Sequence, residues 1–176
     1  MKKAIESQEP VPFKKGVRFY ETFPVNVPFE KIDLYQWFTT MDDADYRSYS
    51  PAHKSLGSYS KDGKFYMVNV ENVGLDMVVQ NYELKSSSAE SIKLYSPRTK
   101  AYIWRWFPVF VGVPWEFTLT RSSSTSCNLT CMIGTDYPNL LIRVAAWFNG
   151  LGGLFLKKHL KKEAEAFALD IQRKFQ

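Results

Sequence analysis

The stretch Leu151–Phe167, LGGLFLKKHLKKEAEAF, decides how this sequence folds. Its Leu, Lys, Ala and Glu residues favour a helix, and neither this stretch nor the longer run Asn139–Phe175 around it contains a proline. We therefore expect one long C-terminal helix. At about 100° per residue, one broad apolar face of this helix collects these side chains: Val144, Phe148, Leu151, Phe155, Leu156, Leu160 and Phe167.

Two polar residues, His159 and Glu163, lie near the middle of this apolar face. Their spacing of four makes them neighbours one turn apart on the helix. A buried carboxylate is costly unless it is paired or coordinated, and imidazole and carboxylate groups are ligands for first-row metals. His53 is the only other histidine in the chain. The pattern indicates either a metal site that includes His53 or a simple His159–Glu163 contact with His53 in an ordinary loop.

The composition is that of one ordinary domain. The chain has 176 residues, with 13 Phe, 10 Tyr and 5 Trp, a supply of rings that suits an internal cavity or a generously packed core. Its net charge of +5 comes largely from lysines at the N-terminus and on the predicted helix, which we interpret as a solvated face. The sequence has no arginine-rich arm and no nucleic-acid-binding motif, so we expect no nucleic-acid partner.

The sequence favours a cytoplasmic protein without stable membrane insertion. Its N-terminus lacks the apolar segment of a secretory signal. The most apolar run, Phe107–Trp115, is too short to span a bilayer and contains two prolines. Cys127 and Cys131 are four residues apart on a predicted strand, which places their Cα atoms about 13 Å apart, beyond disulfide reach. We expect both to be buried thiols.

The order of the predicted elements indicates an α+β fold. We interpret residues 1–15 as a loose lead-in and residues 16–176 as a single domain. A first strand, Val17–Val27, precedes a short helix, Phe29–Phe38, and Asp42, Asp43 and Asp45 mark a second short helix or turn. The segment Tyr46–Tyr59 is expected to be irregular. Turn signals then separate six further predicted strands: Phe65–Val70, Asp76–Lys85, Ala89–Tyr95, Lys100–Phe107, Trp115–Arg121 and Ser126–Asp136.

A curved antiparallel sheet of about seven strands and one long amphipathic helix can each bury the apolar face of the other. The space between them then becomes a pocket. This order, with two short helices after the first strand, resembles the helix-grip fold of the START and Bet v 1-like superfamily. The resemblance implies a sheet wrapped around the C-terminal helix.

Glu83 completes a more specific resemblance. A histidine before the sheet, a glutamate about thirty residues later on a strand and His-x-x-x-Glu on the last helix resemble the metal site of the diacetylphloroglucinol and phloretin hydrolases. The resemblance implies that His53, Glu83, His159 and Glu163 hold a divalent metal, usually zinc. It also implies hydrolysis of a carbon–carbon bond between an acyl group and a phenolic ring. This chain is shorter than those enzymes and lacks their further histidine.

Two functions from different classes remain open at this point. The first is a metal-dependent hydrolase that contains zinc. Fe(II) and Mn are the alternative ions, because imidazole and carboxylate ligands suit them as well. Its proton donor would be a tyrosine, the candidates being Tyr46, Tyr49 and Tyr82. The second is a cofactor-free carrier of a small hydrophobic or aromatic molecule. Either function needs a pocket wall, for which we expect these residues: Phe148, Leu151, Phe155, Trp104, Trp106 and Trp115.

Overall fold

The computed structural model describes residues 14–74, 76–103, 106–148 and 153–176. Within these ranges the chain forms seven strands, a 3₁₀ turn at Phe29–Lys31 and four helices. The strands are β1 Lys14–Val25, β2 His53–Lys61, β3 Lys64–Val73, β4 Asp76–Ser87, β5 Ser91–Ile103, β6 Phe107–Arg121 and β7 Cys127–Tyr137. The helices are α1 Leu34–Thr39, α2 Asp43–Tyr49, α3 Leu140–Phe148 and α4 Leu154–Phe175. None of these helices is both long enough and apolar enough to cross a membrane.

All seven described strands belong to one curved antiparallel sheet, in the order β1-β7-β6-β5-β4-β3-β2. The sheet curves around α4, which packs chiefly on β1 and also on β7 and β3. The predicted α+β architecture is therefore confirmed. The strands β1 and β2 form the two edges, and α2 packs beside β2.

The prediction that Tyr46–Tyr59 is irregular is wrong. The segment contains the end of α2 and most of the edge strand β2. On β2 only His53 and Leu56 are buried, so the strand lacks the alternation of a strand with one buried face. The hairpin from β2 to β3 turns at Asp62-Gly63, where both residues have positive φ, as a two-residue hairpin loop of this type requires.

The predicted strands Ala89–Tyr95 and Lys100–Phe107 are largely one strand. The chain runs through Ser96-Pro97 as part of β5, and the pairing with β6 shifts register between Ser96 and Thr99. The Ser-Pro pair therefore marks a β-bulge, one of the places where a sheet accepts a proline. The split strand and the missed β2 cancel in the count, which is why the expected number of strands is correct.

The C-terminal run is two helices and not one. Helix α3 ends at Phe148, α4 begins at Leu154, and residues 149–152 lie outside the described ranges. The run between them contains three glycines, which are poor helix formers. The expected face therefore holds only within α4, where Leu156, Leu160 and Phe167 are buried.

The core between α1, α4 and the sheet is packed with aromatic rings. Trp37 contacts Phe117 and Phe167 edge-on, with ring centroids 5.6 and 5.5 Å apart. Trp115 lies 4.8 Å from Phe117 and 5.9 Å from Phe167. The buried Asp170 of α4 accepts a hydrogen bond from the Trp37 indole (2.9 Å) and is thereby tied to α1. This packing fixes the position of α4 against the sheet.

Candidate metal centre

Three elements bring two histidines and two glutamates together. His53 opens β2, and Glu71 of β3 is its pairing partner across the hairpin. His159 and Glu163 lie one turn apart on α4. One ligand atom from each of the four side chains lies within 4.8 Å of all the others. We call these four residues the His/Glu cluster.

Each histidine of the cluster lies close to both carboxylates. Nε2 of His53 is 3.0 Å from Oε1 of Glu163 and 3.7 Å from Oε2 of Glu71. Nε2 of His159 is 2.9 Å from Oε2 of Glu71 and 3.8 Å from Oε2 of Glu163. The side chains of His53, Glu71 and Glu163 are buried, and that of His159 is 9% exposed. The cluster is therefore a small polar site inside an apolar core.

The tautomer of His53 is set by its surroundings. Its Nδ1 donates a hydrogen bond to the backbone carbonyl of Tyr46 at 2.6 Å. The imidazole also stacks on the Tyr46 ring, with centroids 3.9 Å apart and planes 3° apart. This fixed donor leaves Nε2, which faces the carboxylates, as the nitrogen available to a metal.

The electrostatics of the cluster favour cations. Burial would lower the pKa of His159, but Glu163 and Glu71 outweigh it and raise that pKa from an ordinary 6.5 to about 9. Burial also opposes protonation of His53, and the same carboxylates again raise its pKa above the ordinary value. Burial would raise the pKa of Glu71, but the contact with His159 outweighs it and lowers that pKa. The two carboxylates thus favour a proton on each histidine. One divalent cation would supply the same charge of +2.

The donor set also suits a metal ion. Nε2 of His53 makes no well-aligned hydrogen bond among the described residues, although Oε1 of Glu163 is 3.0 Å away, and the buried Oε2 of Glu163 has no hydrogen-bond partner there either. Buried polar atoms of this kind are rare unless they have another role. Two imidazole nitrogens with carboxylate oxygens are ligands that suit zinc, Fe(II) and Mn. The residues present therefore fit a divalent ion.

An apolar cavity adjoins the cluster. Its interior has about 30 Å³ of space that a water molecule can occupy, and the atom-free space around it, including the part open to solvent, amounts to about 530 Å³. The cavity would therefore have to expand to take in a substrate. Glu71 is one of its walls, together with Gln80 and Thr99. Gly134, Thr135 and Tyr137 also line it. The rest of the lining is aliphatic side chains from five strands and from α3 and α4: Val73, Val78, Ala101, Ile103, Val109, Val111, Val113, Ile133, Ile142, Ala146 and Leu156.

No family model matches the sequence, and no curated protein matches it. Solved structures match most of its length. TTHA0849 from Thermus thermophilus has a TM-score of 0.66 at 8% identity, over 91% of this chain and 100% of that one. The ZhuI aromatase/cyclase from Streptomyces sp. R1128 has a TM-score of 0.57 at 10% identity, over 91% and 96%. Ara h 8.0201 has a TM-score of 0.54 at 11% identity, over 89% and 98%.

The chain has the helix-grip fold. The predicted resemblance to this superfamily is therefore confirmed at the level of the fold. Identities of 8% to 11% show a shared fold and nothing about activity. In helix-grip terms, α4 is the gripped helix, and it presents His159 and Glu163 to the β2–β3 edge of the sheet.

Glu83 is not part of the cluster. It lies on β4 with its carboxylate 3.0 Å from the Lys64 ammonium and 2.7 Å from that of Lys85, on the side of the helix-grip sheet away from α4. These two lysines lower its pKa, the nearer Lys85 most. The core-facing residues of β4 are instead Asp76, Val78, Gln80 and Tyr82. The expected fourth ligand is therefore wrong, and the structure puts Glu71 in that position.

Glu71 has a usable signal in the sequence. It alternates with Met67, Asn69 and Val73 along β3, and all four are buried on one face. Asn69 and Glu71 themselves make that face half polar, which hides the pattern. Pairing of His53 with Glu71 also depends on β2, a strand that the sequence does not predict.

The three candidate tyrosines have different surroundings. Tyr49 donates a hydrogen bond of 2.7 Å to Asp170 and so belongs to the contact that ties α2 to the gripped helix. The hydroxyl of Tyr46 accepts a hydrogen bond from the Asn69 amide (2.9 Å), beside the cluster. The buried hydroxyl of Tyr82 has no hydrogen-bond partner within the described ranges. Burial, with the nearby carboxylates of the cluster, raises the pKa of Tyr46 and of Tyr82 well above the usual value.

The expected pocket wall is wrong at the three residues whose side chains the structure describes. Trp106 is 81% exposed and Phe155 is 57% exposed, so neither lines the helix-grip cavity. Trp115 is buried, but in the packed aromatic core. Trp104, Leu151 and the side chain of Phe148 lie outside the described part of the chain. Aliphatic residues form most of the wall instead, and Tyr137 is its one aromatic side chain among the described residues.

Proposed function

We propose that the protein is a metal-dependent hydrolase that cleaves a small, largely apolar carbonyl compound, with an acylated aromatic ketone as the leading substrate class. The observation that carries this proposal is the position of Glu71, which belongs both to the His/Glu cluster and to the wall of the apolar cavity. A substrate in the cavity would therefore present its end to the cluster. The resemblance to the phenolic-ketone hydrolases supports the same chemistry, although Glu71 replaces the expected Glu83.

His53, Glu71, His159 and Glu163 would hold the ion. A zinc ion held by these groups would polarise a substrate carbonyl and lower the pKa of a bound water molecule. Four protein ligands leave room for water or substrate only if the coordination number expands, and zinc can expand to five-coordination. The apolar wall would bind the rest of the substrate and exclude bulk water.

The chain also offers groups that would orient the substrate. The oxygen of the Gln80 amide is buried on the cavity wall and has no hydrogen-bond partner among the described residues. It would accept a hydrogen bond from a substrate hydroxyl. Tyr82 is two residues along the same face of β4 and keeps its proton at any physiological pH, because its pKa is raised. The Tyr82 hydroxyl does not line the cavity and its raised pKa makes it a weak acid, so we assign the proton of the departing ring carbon to the attacking water.

In the hydrolysis, water would supply a hydroxyl group to the acyl carbon and a proton to the ring carbon as the bond between them breaks. The products would be a carboxylic acid and a deacylated phenol. These products are separable by chromatography, so the reaction can be followed without a coupled assay.

A carrier of a hydrophobic small molecule is the second candidate. It is favoured by the direct hydrogen bond between His159 and Glu71, which closes the cluster without an ion. The largely aliphatic wall of the cavity would serve a carrier equally well. A carrier would bind its ligand with the same affinity whether or not metal is present.

The test uses protein purified without chelator and without a metal-affinity tag. Acylphloroglucinols and phloretin are incubated with the protein plus zinc, Fe(II) or Mn, and acid and phenol products are quantified. We expect turnover that EDTA removes and metal restores, and that the Glu163→Gln variant lacks. Ligand binding without metal-dependent turnover over the whole series would contradict the hydrolase and support the carrier.

A further inference from the structure

Helix α3 is apolar on the side that faces away from the cavity as well as on the side that lines it. Ile142 and Ala146 line the cavity. Leu140 and Leu141 are 71% and 76% exposed, and Trp147 is 66% exposed. A surface helix of a globular protein normally carries polar residues on its outer face. An exposed apolar helix face of this kind marks an interaction surface.

Further exposed apolar side chains lie at the same end of the molecule. The β5–β6 hairpin carries the exposed Trp106 and Phe107 at its tip. Two other residues of that hairpin, Ile103 and Val109, line the cavity together with the inner face of α3. The exposed ring of Phe155, in the first turn of α4, lies against Gly74 in the turn that follows β3. We call the exposed set the apolar rim: Trp106, Phe107, Leu140, Leu141, Trp147 and Phe155.

The charges around the apolar rim have one sign. Residues 140–162 contain five basic residues and no acidic one. All five are exposed. They are Arg143 on α3 and Lys157, Lys158, Lys161 and Lys162 on the first three turns of α4. Leucine and tryptophan side chains flanked by lysines are the composition of segments that lie in the interface of an anionic bilayer.

We propose that the apolar rim docks on the surface of a membrane rich in anionic phospholipid. The rim side chains enter the headgroup region, and the five basic residues contact the lipid phosphates. Docking is peripheral, since no helix of the described chain can cross a membrane. A second copy of the chain fits this surface poorly, because it would place five positive charges against five others. This proposal is independent of any hydrolysis at the His/Glu cluster.

Docking would also give the cavity access to membrane-dissolved compounds. The inner face of α3 lines the cavity, so the helix that contacts lipid is the same helix that covers the ligand space. An apolar compound could then pass from the bilayer to the cavity without crossing water.

Vesicle co-sedimentation tests the proposal with the full chain. Vesicles of phosphatidylcholine alone are compared with vesicles containing 30% phosphatidylglycerol, at about 0.1 M salt. We expect binding to the anionic vesicles that weakens as salt is raised, and at least tenfold weaker binding to neutral ones. Tryptophan emission should shift to shorter wavelength on binding, as Trp106 and Trp147 leave water.

Matched variants separate the two contributions. Leu140→Ser with Leu141→Ser should weaken binding by at least tenfold, whereas Leu169→Ser, at a leucine 62% exposed on the far part of α4, should not. Lys157→Gln with Lys158→Gln should weaken binding to anionic vesicles by about twenty-fivefold, at roughly fivefold per lysine. Circular dichroism and thermal unfolding confirm that each variant folds.

Absence of binding to anionic vesicles by the intact, folded protein overturns the proposal. The proposal also fails if the protein binds no lipid and sedimentation velocity shows a dimer that the Leu140→Ser, Leu141→Ser variant abolishes. The apolar rim is then a subunit interface. Equal binding by the rim variant and the Leu169→Ser control also overturns the proposal, since the contact then lies elsewhere.

Discussion

Replacing Glu71 by glutamine removes one carboxylate of the cluster at almost constant volume. At a reference separation of 4 Å and an effective dielectric constant of 20, a carboxylate and a divalent cation attract one another by about 8 kcal/mol. The glutamine retains one oxygen that can still coordinate, so we take about half of this energy as lost. A loss of about 4 kcal/mol corresponds to roughly a thousandfold weaker zinc binding. Titration in competition with a chromophoric chelator measures this change directly.

Glu83→Gln is the matched control. Glu83 contacts Lys64 and Lys85 on the exposed side of the sheet, and we expect its replacement to change zinc affinity by less than about threefold. Circular dichroism shows whether each variant remains folded. A large loss in Glu83→Gln together with normal affinity in Glu71→Gln would refute the assignment of Glu71 and restore the ligand set expected from the sequence. Normal affinity in both variants would move the ion away from the cluster.

Three further predictions concern stability and the cavity. In metal-free protein the raised pKa of His159 contributes stability that is fully present below about pH 6.5 and is lost as pH rises through about 9. This loss is up to about 3 kcal/mol in urea unfolding with EDTA present, and a flat profile would contradict it. Asp170→Ala should lower the free energy of unfolding by about 3–5 kcal/mol, because it leaves the buried Trp37 indole and Tyr49 hydroxyl without their acceptor. A decrease below about 1 kcal/mol would show that this contact is dispensable. Ala146→Phe places a ring in the cavity and should weaken acylphloroglucinol binding at least tenfold while zinc binding is retained, and unchanged ligand binding would place the ligand elsewhere.

The sequence predicts the sheet better than it predicts the edges of the sheet. Strands buried on one face alternate clearly, and β4 is found at nearly the predicted bounds, Asp76–Lys85. The prediction Trp115–Arg121 finds only the second half of β6, which begins at Phe107. The edge strand β2 has mostly exposed side chains, so its pattern is that of a loop. Pro97 within β5 has the signature of a turn, because a bulge and a turn both accept proline. Edge position and bulging depend on neighbouring strands and cannot be read from a local pattern.

Half of the candidate site follows from local periodicity. His159 and Glu163 lie on one helix, and their spacing alone brings them together. His53 and Glu71 meet only through the pairing of β2 with β3, so their proximity depends on a strand that the sequence conceals. Glu83 is a plausible ligand in the sequence because both faces of its strand contain apolar residues, and period-two alternation cannot decide which one faces the helix.

X-ray absorption at the zinc K-edge tests the proposed metal centre most directly. The wild-type protein, purified without chelator or metal-affinity tag, is loaded with one equivalent of zinc and freed of excess metal. We expect one zinc ion per chain with two histidine nitrogens and carboxylate oxygens as ligands at about 2.0–2.2 Å. Failure to retain stoichiometric zinc would contradict this centre. So would ligation by sulfur at about 2.3 Å, because Cys127 and Cys131 are not members of the His/Glu cluster.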